Sequence, residues 1–421
     1  MQAKMPCRNA PETLGWIALL LIPALTVQSM AEGFKNPPEG AAALGRAGGR
    51  IAIADDAAAV SHNPANLVDL EGTEVQAAVT IVHAETEYDS PMGGSTETES
   101  PWKFLPNLYA VQAVEDGRFA YGIGLTTPFG QSTEWDKDGL FRYSAPYFAE
   151  LRMVEANPVV AARIGERLSV AAGVNFYWSD LELRQYYPWS MAVGNPAAPD
   201  GLAKFTGDGQ AWGANAAVTW QVAERHRLAA TYRSSFDVDY EGDFKVSNIP
   251  GPLASPSSDF DTTIKFPSIA GFGYGFQATD KLKIAVDAEW IEFSRYDSLA
   301  LDIGENSALL PAAEIPEDWD DVWTYGAGVD WQFSEGMTFR AGYMFIESPI
   351  PDKTMSPTLP DADRHVFSVG LGRKSGGHSL DIAYAYSLFD DRKIDDNQDA
   401  AYNGDYDISS HLMGVSYGYT F

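Results

Sequence analysis

From Glu74 to the C-terminus the sequence runs in segments of roughly ten residues with alternating polarity, the spacing of barrel strands. The connections between these segments alternate strictly between short and long. Only Glu115-Asp116-Gly117-Arg118 separates the second segment from the third. Equally tight turns stand at Gly165-Glu166-Arg167, Ala223 to His226, Ala278-Thr279-Asp280, Phe333 to Gly336 and Lys374 to Gly377. The other connections are long, among them 128–149, 186–208, 241–260, 294–318 and 389–408. A soluble sandwich also alternates polar and apolar residues along its strands, but nothing makes it keep short turns at one end only. A membrane barrel does so, because its periplasmic turns are short and its outer loops long.

Within the segments the two faces differ. Phe119, Tyr121, Ile123 and Leu125 share one face, and Ala120, Gly122, Gly124 and Thr126 the other. Ile284, Val286 and Trp290 oppose Lys283, Asp287 and Glu289, and Leu380, Ile382, Tyr384 and Tyr386 oppose Ser379, Asp381 and Ser387. A period of two residues means a strand with unlike faces. Fourteen strands are expected, at 73–88, 107–114, 119–127, 150–164, 168–185, 209–221, 227–240, 261–277, 281–293, 319–332, 337–345, 364–373, 378–388 and 409–421. The fold class is therefore an all-β membrane protein, a 14-stranded antiparallel barrel over residues 73–421 in outer-membrane lipid and lipopolysaccharide. An even strand number places both ends on the short-turn, periplasmic side, and closure leaves no unpaired edge in lipid. The last segment carries Met413, Val415, Tyr417, Tyr419 and Phe421 on one face. Such an apolar row with a terminal aromatic has the form by which the outer-membrane assembly machinery recognises barrels. A monomer is expected.

At the other end, Lys4 and Arg8 precede Leu14 to Val27, which is apolar apart from Gly15 and Thr26. This stretch is shorter than the ~20 residues a spanning helix needs. Ser29-Met30-Ala31 offers a small-x-small cleavage site before Glu32, so residues 1–31 read as a secretory signal peptide. Its removal would take the only cysteine, Cys7, and with it any disulfide or thiol nucleophile. The chain carries a formal charge of −29, which excludes a nucleic-acid partner. The histidines His62, His83, His226, His365, His378 and His411 are scattered and outline neither a triad nor a metal site, and no cofactor is expected. An outer-membrane hydrolase and a structural barrel or adhesin are among the functions open to such a barrel.

Residues 32–72 do not alternate. They are rich in Gly and Ala, with Gly40 to Gly45 and Ala57-Ala58-Ala59 as the densest runs. Asp55 and Asp56 precede the second run as helix N-terminal residues do, and Asn63-Pro64 ends it. A compact small-residue segment of this kind suits either a plug inside a barrel or a periplasmic tail.

Ordered motifs complete the reading. Gly33-Phe34, Leu44-Gly45-Arg46-Ala47, Ala54-Asp55-Asp56-Ala57 and Asn63-Pro64-Ala65 occupy the N-terminal segment. Thr127-Pro128-Phe129-Gly130 follows the third strand, and Lys265-Phe266-Pro267-Ser268 is placed at the opening of the eighth. Glu289-Trp290, Phe293-Ser294, Arg340 to Tyr343, Ser348-Pro349-Ile350-Pro351 and Pro360 to Arg364 come later. In this order they resemble the FadL-type transporters of long-chain fatty acids and aromatic hydrocarbons. The resemblance implies a small helical hatch at 32–72 within the lumen, whose mark is Asn63, Pro64 and Ala65. It implies a hydrophobic ligand taken up from outside and held in apolar pockets, with Phe34 and Arg184 as ligand contacts. Release is then sideways through a kink in the third strand, where Gly122 and Gly124 stand. By their residues alone those glycines also fit as lumen-facing space for a plug, and Arg184 as a solvated loop arginine. Arg233 and Arg340 lie on polar faces and read as lumen ion-pair partners for Asp287, Asp330 or Asp381. An apolar chain gains about 0.8 kcal/mol per buried CH₂, whereas a carboxylate head needs a cationic partner.

Overall fold

A computed structural model describes residues 33–99, 102–114, 117–251, 254–304, 306 and 314–421. The expected signal peptide with Cys7, and part of the first tight turn, lie outside the described residues. The first to fifth wall strands are Thr73–Asp89, Lys103–Ala113, Phe119–Thr126 continued by Gly130–Glu134, Phe148–Ile164 and Leu168–Tyr187. The sixth to ninth are Gly201–Ala223, His226–Arg233 continued by Phe236–Val246, Ser257–Phe266 continued by Ile269–Thr279, and Leu282–Ile291. Val322–Ser334, Met337–Ile346, Arg364–Ser375, His378–Phe389 and Gly404–Thr420 complete the wall. All pairings along the wall are antiparallel, and the first strand pairs with the fourteenth from Glu74 opposite Thr420 to Asp89 opposite Asp405. The barrel is closed, with the short turns together at one end. Gly165 and Gly336 sit in those turns at positive φ, where a side chain is strained.

The two faces behave as the alternation requires. Phe119, Tyr121, Ile123 and Leu125 point outward, and the outer girdle includes Trp178 at 59% and Trp212 at 68% exposure. In water such a belt would be an aggregation surface; in lipid it is matched to its surroundings. The inward positions carry Asn157, Asn175, Thr219, Asp330, Arg340 and Ser368, all buried.

Three wall strands are interrupted: the seventh and eighth, expected to be continuous, and the third, expected to end at 127 but resuming at Gly130. The breaks fall at 127–129, 234–235 and 267–268. Pro128 and Pro267 lie in two of them, and proline has no N–H to give a ladder. Lys265-Phe266-Pro267-Ser268 therefore does not open the eighth strand, which begins at Ser257, but breaks it midway. Likewise Thr127 to Gly130 lies inside the third strand's interruption rather than after its end.

The segment from Gly33 to Leu70 fills the lumen. It holds a helix at Ala41–Arg46, a single turn at Ala59–His62 and a 3-10 turn at Pro64–Asp69. Asn63 ends the second helix in extended conformation and accepts a hydrogen bond from the Ala65 N–H at 3.1 Å. Its side-chain amide donates to Ile51 O and to Thr219 Oγ1 on the sixth strand, each at 2.8 Å. Backbone meets backbone across glycines where this segment packs on the wall, Gly45 on Gly370 and Gly48 on Gly326.

Candidate functional site: a lumen cavity beside a broken strand

The break in the third strand has a specific consequence. The ladder between second and third strands stops at Leu108 opposite Leu125. Beyond it, Lys103 to Asn107 pair only with the first strand. Of the main-chain groups in the break, the Thr127 N–H reaches across to Asn107 Oδ1 on the second strand at 3.2 Å; other groups lack a ladder partner in the wall, and a buried unpaired group is costly. The N-terminal segment supplies partners. Phe34 O accepts from the Gly130 N–H at 2.8 Å, and the Asn36 N–H donates to Pro128 O at 2.9 Å. Asn36 Nδ2 donates to Thr127 O at 2.7 Å, and Lys35 faces Phe129 as an antiparallel bridge. Residues 34–36 thus act as a short strand set against the gap.

Phe34 is clamped by rings from all sides. Its centroid lies 6.3 Å from Phe129, 5.0 Å from Phe266, 5.4 Å from Phe293, 5.5 Å from Tyr296 and 5.1 Å from Trp319. Phe129 belongs to the third-strand break, Phe266 borders the eighth-strand break, and the last three come from the long ninth-to-tenth connection. The interruptions are what let these rings turn into one cage.

Below the cage, a cavity of about 110 Å³ lies between hatch and wall. One flank is apolar, with Leu44, Met344, Ile346, Val366 and Leu412; another is Pro128 and Phe129 at the break. Lys35, Arg50, Arg233, Arg364, Glu39 and Glu289 add charge. Arg50 pairs with Glu289, to which Lys35 Nζ also reaches at 3.2 Å. Burial works against the charged Arg50, but Glu289 and Asp287 outweigh it and raise its pKa.

Toward the short-turn end the hatch is latched. Arg46, 1% exposed, donates to Asp330 from Nε at 2.8 Å and from Nη2 at 2.6 Å. The Arg50 and Ile51 N–H groups donate to Asp287 at 2.6 and 3.0 Å. Asp55 binds Lys283 at 3.0 Å, and Asp69 binds Arg163 and Arg227.

Of the residues singled out from sequence, Phe34, Asn63, Pro64 and Ala65 lie in this assembly, Phe34 in the cage and the other three in the hatch core. Gly122 and Gly124 do not form the interruption. Both sit in unbroken ladders, opposite Val111 and Tyr109 on one side and Val159 and Asn157 on the other. A Cβ at Gly122 would lie 2.8 Å from Val60, and one at Gly124 3.2 Å from it, so these glycines make room for the hatch. Arg184 is outside the cavity lining. It lies near the outer end of the fifth strand, paired with Glu182 at 2.5 Å and over the Phe148 ring. Arg340 pairs with Asp381 at 2.5 Å as expected, while Arg233 takes Glu155 instead of Asp287, Asp330 or Asp381. The sequence had assigned no partner or site role to Arg46, Arg50, Glu289 or Arg364. It also missed the cage, although Phe129, Phe266 and Phe293 stand in the quoted motifs. Among the described residues no cluster suits a metal ion.

Residues 22–421 match the family described as Outer membrane protein transport protein (OMPP1/FadL/TodX). Among curated relatives, the Long-chain fatty acid transport protein of Escherichia coli O6:H1 is 24% identical, with 94% of this chain and 96% of that protein covered. Outer membrane protein P1 of Haemophilus influenzae is 25% identical over 93% of this chain and 95% of its own length. Among solved structures, a Pseudomonas aeruginosa FadL homologue matches with a TM-score of 0.80 at 20% identity, covering 92% of this chain and 100% of that one. The Pseudomonas putida toluene transporter TodX matches with a TM-score of 0.73 at 18% identity, covering 93% and 100%.

Proposed function

Because this chain belongs to the OMPP1/FadL/TodX family of outer-membrane transport proteins, we propose that it takes up long-chain fatty acids or similar apolar molecules passively, by lumen binding and lateral release. The lateral route runs through the gap between second and third strands at Thr127 to Phe129, in place of the neighbouring Gly122 and Gly124. One observation carries this reading: the gap in the wall is filled by residues 34–36, which belong to the segment ahead of the barrel rather than to a wall strand. A segment held by a few main-chain hydrogen bonds moves far more readily than a strand paired along its whole length. The periplasmic route is unfavourable on two counts. The hatch is latched to the wall below the cavity, and an apolar ligand released into water would be rehydrated. In this reading the barrel acts as a monomer, folded by the outer-membrane assembly machinery among lipopolysaccharide and lipid. The aromatic cage around Phe34 supports a second reading, in which aromatic hydrocarbons use the same path; a solved structural neighbour is named as a toluene transporter.

The test is a reversible lock. Lys35→Cys with Phe129→Cys places two thiols on facing residues of an antiparallel bridge, a spacing that suits a disulfide. Oxidation is expected to abolish uptake of labelled fatty acid by cells, and reduction to restore it. Uptake at the reduced rate by the oxidised, correctly assembled protein would refute lateral release at this gap.

A further inference from the structure

Two asparagines lining the cavity each carry an oxygen that no protein group serves. Asn36, 6% exposed, comes from the segment set against the gap, and Asn215 from the sixth strand. Both Oδ1 atoms are buried, and neither has a hydrogen-bond partner among the described residues. A side-chain amide can in general be turned over to exchange its oxygen and nitrogen, but the surroundings forbid that here. Asn36 Nδ2 donates to the Thr127 carbonyl at 2.7 Å, and a carbonyl only accepts. Asn215 Nδ2 donates to Asn157 Oδ1 at 2.8 Å and to Asn175 Oδ1 at 3.0 Å. Asn175 is fixed in turn, because its Nδ2 donates to the buried Glu155 carboxylate, which also holds Arg233. The series Glu155, Asn175, Asn215 thus passes an acceptor from the wall interior to the cavity surface.

The cations of the same cavity all have acceptors. Arg233 donates to Glu155 and to Tyr177 Oη, Arg50 to Glu289 and to Ala47 O, Lys35 to Glu289 and Arg364 to Asp361. What the cavity leaves unserved is therefore acceptor, beside the apolar flank of Leu44, Met344, Ile346, Val366 and Leu412. Water can serve such oxygens before a ligand arrives, but an apolar molecule that displaces it without replacing its hydrogen bond loses affinity. We propose that the cavity selects apolar molecules carrying a hydroxyl, whose O–H donates to Asn36 Oδ1 or Asn215 Oδ1 while the hydrocarbon body lies on the apolar flank. An alkanol and a phenol share this chemistry. A hydrocarbon brings no donor, and an ether brings only a further acceptor. This inference rests on the lumen being the transport path, and it adds a hydrogen-bond donor to the description of the cargo.

The experiment measures binding of hexadecanol and of its methyl ether to purified, folded protein in micelles, each relative to its partition into protein-free micelles, and repeats this with phenol and anisole. The members of a pair share their body and differ in the O–H. The wild type is expected to favour the hydroxyl member of at least one pair about tenfold, the scale of a buried acceptor left unpaired, and the pair that shows it identifies the hydrocarbon body. Asn36→Leu or Asn215→Leu, whichever position receives the hydroxyl, is expected to bring that ratio down to near one. Equal binding of hydroxyl and ether members in both pairs by the wild type overturns the proposal, and that measurement needs no variant to assemble. A preference that persists in full in both assembled variants overturns the assignment to these asparagines while leaving transport standing. Wild-type protein that binds none of the four compounds overturns the transport reading itself.

Discussion

Gly342, in the eleventh strand opposite Gly328 and Ser368, is where hatch and wall meet most closely. A Cβ added there would lie 1.5 Å from Arg46 O and 2.0 Å from Arg46 C, both backbone atoms of the hatch helix. Ordinary contact is about 3.5 Å or more, so Gly342→Ala must push the end of that helix away by roughly 2 Å. The wall tolerates alanine, since its ladder uses only main-chain groups. The hatch does not, because the same shift pulls Arg46 off Asp330 and Gly45 O off Ser368 Oγ, now 3.0 Å away. Separating a buried ion pair costs about 3–5 kcal/mol. At about 1.4 kcal/mol per tenfold, hatch opening should rise on the order of a hundredfold or more. Amide hydrogen exchange on the assembled protein in micelles reads this directly. Amides of residues 41–69 should exchange faster by that factor, wall amides should be unchanged, and the heat-resistant band should persist on a gel. Gly370→Ala, whose Cβ would stand 3.2 Å from Gly45 Cα, should show a far smaller effect. If hatch amides in Gly342→Ala stay as protected as in the wild type, the docking argument is wrong.

Two further outcomes follow from the same contacts. Gly122→Trp and Gly124→Trp should raise leakage of large solutes by driving Val60 out of place, more so at Gly122, where the clash is tighter; wild-type leakage with fatty-acid uptake blocked would favour a role in the wall instead. His62, in the hatch, is held below its ordinary value near 6.5, chiefly by burial, with Arg50 reinforcing and Glu39 opposing. Its folded pKa is thus depressed, so its contribution to docking is present above about 6.5 and is lost as pH falls toward the folded value. Protease nicking of the hatch should increase from about pH 7 to about pH 5 in the wild type and become flatter in His62→Gln, and identical profiles for the two would count against it.

Much of this molecule is legible before any coordinates. Strand period, turn lengths and strand number follow from local chemistry, because each lipid-facing side chain must be apolar and each turn at the periplasmic end must be tight. Leu108 through Val111, or Leu380 through Tyr386, carry that information within themselves. The hatch core was legible in part: Asn63-Pro64 ends a helix for reasons contained in those two residues. What remained hidden belongs to groups distant in the chain. No local pattern reveals that Arg46 will face Asp330, or that Asp287 will take the Arg50 and Ile51 N–H groups.

The break in the third strand shows the division most clearly. Pro128 by itself removes one hydrogen-bond donor, and that much is in the sequence. It does not say whether the strand ends there or resumes, since Gly130 to Glu134 resumes only because the fourth strand is long enough to pair with it. Nor does it say that Phe34, some ninety-five residues earlier, will satisfy the exposed groups, a pairing that exists only once the lumen has enclosed both. Sequence alone determined a closed barrel with unlike faces and a small-residue segment ahead of it. The tertiary structure alone decided where the wall opens and what closes it, because unsatisfied main-chain groups take whatever partner the enclosed space brings within reach.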